Sequence, residues 1–239
     1  MGELRTLEYR DGDVVLEGQL ATPPGPGPHP AILVMHNAHG LGEQVRERAQ
    51  RLAKAGYVAL ASDMYGGGRH FASAEETGEP FAALQHDPLK LRGRVLAAYK
   101  ALTGLPQVDV KRTGAVGFCF GGQCVLELAR SGADVKAVVS FHGLLHAPLP
   151  AQPGAVKAKV MVLTGAKDPY APAENVQALQ AEMAAAGADW QVTVYGEGFH
   201  AFTDPVADTM PIKGLRYDPL LDRLSWGQAM AFIEATVLA

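Results

Sequence analysis

A chain of 239 residues, 48% hydrophobic and 19% charged, has the apolar content for one large core. A formal net charge of −4 without any run of Lys or Arg excludes the basic surface of a nucleic-acid binder or of a protein held on anionic membranes. No stretch approaches the ~18 uninterrupted apolar residues of a membrane-spanning helix, and the charged opening Met1-Gly2-Glu3-Leu4-Arg5 lacks a signal-peptide core, so a cytoplasmic location is expected.

Residues 4–10 and 14–21 alternate in polarity and are joined by Asp11-Gly12-Asp13, which predicts a β-hairpin. A Pro- and Gly-rich loop from Pro23 to Pro30 follows. Ala31-Ile32-Leu33-Val34-Met35 is continuously apolar, as a strand buried on both faces must be. It runs into the polar loop His36-Asn37-Ala38-His39-Gly40. A helix is expected over about 43–55, stopped by Gly56, and a strand over 57–61 that leads into Ser62-Asp63-Met64-Tyr65-Gly66-Gly67-Gly68-Arg69-His70. Residues 71–88 show no clear period. Further helices are expected over about 88–103, 120–131, 173–186 and 219–237, and further strands over 112–117, 135–141, 158–164 and 190–195. Strands alternating with helices predict one α/β domain over residues 1–239: a doubly wound, mostly parallel sheet flanked by helices, with the hairpin at its N-terminal end. In such sheets the catalytic loops lie at the C-terminal ends of the strands. Asn37, Arg69, Cys119, His142, Asp168 and His200 all fall at such ends.

Gly117-Phe118-Cys119-Phe120-Gly121-Gly122 joins a strand to a helix and reads G-x-C-x-G, a thiol version of the nucleophile elbow. By itself the motif fits a buried core cysteine equally well. The stations that follow give it meaning: Asp168 lies after the second strand beyond the elbow, and His200 after the next. Nucleophile, acid, histidine is the α/β-hydrolase order. An ordinary thiol is only a few per cent thiolate at neutral pH. Lowering a thiol pKa by two units takes roughly 2.7 kcal/mol, whereas a helix N-terminus supplies about 2 kcal/mol at best. A base is therefore required, and His200, oriented by Asp168, is the candidate. The backbone N–H groups of Phe120 and Ala38 are the expected oxyanion donors. Asn37, Arg69 and His142 are candidate pocket residues. Cys124, five positions from Cys119, belongs on another helix face and reads as a core thiol. His36, His39, His142 and His146 form no H-E-x-x-H, and no metal site is expected.

These residues resemble the dienelactone hydrolase family of α/β-hydrolases. The likeness rests on 117–122, on Gly56-Tyr57-Val58-Ala59-Leu60-Ala61-Ser62-Asp63-Met64-Tyr65-Gly66, on Gly165-Ala166-Lys167-Asp168-Pro169 and on His200-Ala201-Phe202, and spans about 10–237. It implies hydrolysis of an ester or lactone by a Cys-His-Asp triad without cofactor, and suggests Arg69 as a clamp for a substrate carboxylate. The family usually reads His-Glu in the first loop, whereas this chain has His36-Asn37, and asparagine cannot act as a base. Thiol activation is then expected to depend on His200 directly. The alternative is a redox-responsive or ligand-binding protein on a hydrolase scaffold, and a lyase or isomerase could use the same pocket.

Overall fold

A computed structural model describes residues 3–239. Its elements run β1 (Leu4–Asp11), β2 (Val14–Ala21), β3 (His29–Met35), α1 (Glu43–Lys54), β4 (Val58–Ala61), α2 (Ala74–Gln85) and α3 (Pro88–Thr103). They continue with β5 (Val108–Phe118), α4 (Phe120–Arg130), β6 (Ala137–Phe141), β7 (Lys159–Gly165), α5 (Ala173–Ala185), β8 (Trp190–Tyr195), a 3-10 turn (Ala207–Thr209) and α6 (Pro219–Val237). The strands form one sheet in the order β1-β2-β4-β3-β5-β6-β7-β8. This is the α/β-hydrolase arrangement expected from the alternation of elements. The chain divides into two compact units, one ending at Ala115 and the other running from Val116 to Ala239.

In the first unit, β1 and β2 form the predicted hairpin. Asp11 faces Val14, and Gly12, with φ +58°, takes the first central position of the two-residue turn. β2 pairs antiparallel with β4, and β3 pairs parallel with β4. The last five residues of β3 are all buried, which explains its unbroken apolar run. α1 packs on β2, β3 and β4, and α3 packs on β1 and β3. α2 was not legible in the sequence, because Gly78 and Pro80 interrupt its helical pattern. It forms with Ser73 as N-cap, whose hydroxyl accepts the Glu76 N–H at 3.2 Å.

In the second unit, β6, β7 and β8 are parallel neighbours, with α6 on β6 and β7. α4 is buried over its whole length although it carries Gln123, Glu127 and Arg130. The Arg130 guanidinium resolves the conflict. Its Nη1 donates to Glu127 at 2.9 Å, and its Nε and Nη2 fork onto the Glu182 carboxylate of α5 at 2.9 and 2.8 Å. Phe118 stacks on Phe141 with centroids 4.8 Å apart, and Trp226 of α6 lies over Phe141 at 6.1 Å. The end of β5 is thus wedged into the core just before the cysteine.

Candidate active site

Cys119 stands between β5 and α4 with φ +55° and ψ −115°. A non-glycine residue there costs of order 1–3 kcal/mol and persists only where the surroundings enforce it. The enforcement is steric. A Cβ on Gly117 would run into the carbonyl of Gly121, and one on Gly122 would meet Ser140 Oγ at 2.5 Å and Gly143 Cα at 2.6 Å. The glycine spacing of the motif is therefore the spacing at which strand and helix touch. Gly117→Ala is expected to cost at least about 1–3 kcal/mol, as overpacked cores do. The check is a urea denaturation midpoint, and an unchanged midpoint would mean that this contact is slack.

Asp168 follows β7. Its Oδ1 accepts the N–H groups of Tyr170 at 2.8 Å and Ala171 at 3.2 Å. Its Oδ2 accepts Nδ1–H of His200 at 2.8 Å. Both residues are buried, 3% exposed each. His200 sits on the loop after β8, where its own N–H donates to Gly214 and its carbonyl accepts from Arg216, both at 3.1 Å. With Nδ1 engaged by Asp168, Nε2 is the nitrogen left to face Cys119, whose charge acts on His200. Burial pulls the His200 pKa down, but the charge of Cys119 and the hydrogen bonds from Asp168 and Cys119 outweigh it and raise the value to about 10. The charged imidazole is thus favoured across neutral pH. Its contribution to stability is full below the ordinary histidine pKa near 6.5 and is lost as pH rises through about 10. Cys119 itself is half-buried and unpaired with Cys124. The structure therefore brings Cys119, Asp168 and His200 together within the second unit.

With this geometry stand the relatives. The profile of the dienelactone hydrolase family matches residues 16–237. The chain belongs to the dienelactone hydrolase family. A solved structure named m3DLH is 38% identical, with a TM-score of 0.94 and 98% of each chain covered. A dienelactone hydrolase-like promiscuous phosphotriesterase from metagenomic libraries is 36% identical, again with a TM-score of 0.94 and 98% of each chain covered. A Methylorubrum extorquens protein named carboxymethylenebutenolidase is 31% identical over 212 residues, 84% of this chain and 72% of its own. The protein is accordingly a hydrolase of the dienelactone hydrolase family.

The remaining candidates have definite places. Phe120 is the first residue of α4, directly after Cys119. In the first unit, the Asn37 side chain accepts the His39 N–H at 2.9 Å, and the Ala38 carbonyl accepts the Tyr65 hydroxyl at 2.8 Å. Where the family usually carries a glutamate, Asn37 thus shapes its own loop. Arg69 donates from Nε to Gly66 at 3.0 Å and from Nη2 to Tyr65 at 2.8 Å. It lines a cleft of about 320 Å³ with Met64, Glu79, Lys90 and Arg94. His142 is 1% exposed and lies behind the elbow. Cys124 is fully buried, and burial pushes its pKa up, so it stays a thiol.

Two tertiary roles in this family member were not legible in the sequence. The loop 63–70 hangs on the Asp63 carboxylate, which accepts the N–H groups of Tyr65, Gly66, Gly68 and Glu17, each at 2.9 Å. Asp63 lies in the stretch that carries the family likeness, but its four bonds were not legible there. Thr203, three residues past His200, hydrogen-bonds to His142, and nothing in the spacing announced it. Among the described residues, no helix is long and apolar enough to cross a membrane.

Proposed function

We propose that this protein is a cysteine-dependent hydrolase that cleaves an ester or lactone through an acyl-enzyme on Cys119. The observation that carries the reading is one imidazole, His200, held by Asp168 at 2.8 Å and within electrostatic reach of a cysteine on a strained elbow. The sulfur of Cys119 attacks the carbonyl carbon, and the C=O electron pair moves to oxygen. The Phe120 N–H at the start of α4 is the proposed donor for that oxyanion. As the tetrahedral species collapses, the C–O bond breaks and Nε2 of His200 gives its proton to the leaving oxygen. In a lactone that oxygen stays tethered to the acyl chain. Water then attacks the thioester, His200 takes its proton, and the sulfur leaves as thiolate. Asp168 keeps Nδ1 protonated throughout, which leaves Nε2 for the exchange.

The 36% identical neighbour described as a promiscuous phosphotriesterase supports a phosphotriester as the second substrate class to test. The test is steady-state hydrolysis of p-nitrophenyl butyrate and of a dialkyl p-nitrophenyl phosphate, each with iodoacetamide protection measured in parallel. Turnover of the carboxylic ester, with the ester shielding Cys119 from alkylation, is expected. Rapid alkylation without turnover of either compound would favour the redox or ligand-binding alternative.

A further inference from the structure

We propose that His142 is a positioning residue, an imidazole that ties the main chain of the nucleophile elbow to the loop carrying His200. The inference rests on the cysteine-hydrolase reading and adds to it a residue outside the Cys-His-Asp set. His142 is the first residue past β6, and its N–H extends the ladder with β7 by donating to the Leu163 carbonyl at 2.7 Å. Its φ is +37°, a value that L residues rarely adopt. That inversion, together with the Gly143–Gly122 contact behind it, folds the ring back beneath the elbow.

There the ring engages two segments at once. Nδ1 accepts the main-chain N–H of Cys119 at 3.2 Å, a donor shared with the Phe141 carbonyl at 3.0 Å. An accepting Nδ1 carries no proton, so the proton is on Nε2, which donates to Thr203 Oγ1 at 2.8 Å. Thr203 belongs to the turn that begins at His200. The same ring meets the His200 ring edge-on, with centroids 5.4 Å apart and planes at 68°, and Phe202 at 5.0 Å and 81°. Cys119 and His200 reach the site on separate loops, and His142 fixes the distance between them from behind. Acting through the elbow main chain and the His200 turn, its loss should lower kcat and leave KM nearly unchanged.

Two isosteric replacements separate the two ends of the bridge. In His142→Asn, Oδ1 takes the place of Nδ1 and keeps the elbow bond, and Asn tolerates the positive φ. In His142→Gln, the amide reaches the place of Nε2 and keeps the Thr203 bond. His142→Phe keeps the ring volume and loses both. A misplacement approaching 1 Å costs about 10²-fold in rate, so His142→Phe is expected to lower kcat by about 10–100-fold with KM within ~3-fold. Asn and Gln should each recover part of that loss, and Thr203→Val should match His142→Asn. Steady-state kinetics are read beside Cys119→Ala and normalised to folded protein by near-UV circular dichroism. Should His142→Phe fail to fold, Asn, Gln and Thr203→Val carry the same comparison. Wild-type kcat in Thr203→Val and His142→Asn, or a fall in KM affinity as large as the fall in kcat, would overturn the inference. If Cys119→Ala keeps full turnover, the cysteine-hydrolase reading fails instead.

Discussion

Cys119→Ala is expected to lower kcat/KM for a short-chain p-nitrophenyl ester by about 10³-fold or more, because residues of a nucleophilic triad act as a unit. The fold should survive. Alanine carries the same Cβ, so the strain at φ +55° and the fit between Gly117 and Gly121 are untouched. The loss is confined to the sulfur and its charge beside His200. With that charge gone, one of the contributions that raise the His200 pKa disappears, and burial, which favours the neutral ring, gains weight. The substitution therefore removes the proposed nucleophile and weakens the hold on the His200 proton. Turnover within tenfold of wild type, in folded protein, would eliminate Cys119 as the nucleophile.

Asp168→Asn should cost about 10²–10⁴-fold in kcat/KM, for a reason specific to this loop. Oδ1 of residue 168 is committed to the N–H groups of Tyr170 and Ala171. An asparagine must keep its carbonyl oxygen there, which turns its NH₂ group toward His200 Nδ1. A donor facing Nδ1 selects the tautomer protonated at Nε2, and that nitrogen can then no longer take the thiol proton. The sign of the pH effect follows from the same contact. The Asp168 hydrogen bond helps raise the His200 pKa to about 10, so its removal lowers that pKa. Wild-type activity should persist toward pH 10 and fall as His200 loses its proton. In Asp168→Asn the alkaline limb should move to lower pH. A pH profile of kcat/KM over pH 6–11 reads both effects, and an unmoved limb would deny Asp168 its role.

The parts of this molecule that were legible in the sequence are those fixed by local chemistry. Ala31–Met35 had to be a doubly buried strand, and Gly117, Gly121 and Gly122 had to bring a strand against a helix. The contact between Asp168 and His200 was legible because chain order and strand ends constrain where such an acid and histidine can meet. What was hidden depends on tertiary partners. α2 carries Gly78 and Pro80, and its pattern is weak because it packs on α3 along a narrow face. The charges buried on α4 made sense only with Glu182, 52 residues beyond Arg130. His142 at a strand end suggested a pocket residue, and only its inverted backbone reveals a ring turned beneath the elbow. Asn37 stands out in sequence as a departure from the family's usual glutamate, while its bond to the His39 N–H is a matter of loop geometry.

The central claim is a covalent acyl group on Cys119, and mass spectrometry tests it most directly. The enzyme would be mixed with p-nitrophenyl pivalate, whose hindered acyl group slows deacylation, then acid-quenched and digested. The account predicts a burst of about one equivalent of p-nitrophenol and a pivaloyl mass on the peptide containing Cys119. A pivaloyl mass on any other residue, or steady turnover by Cys119→Ala at the wild-type rate, would contradict it.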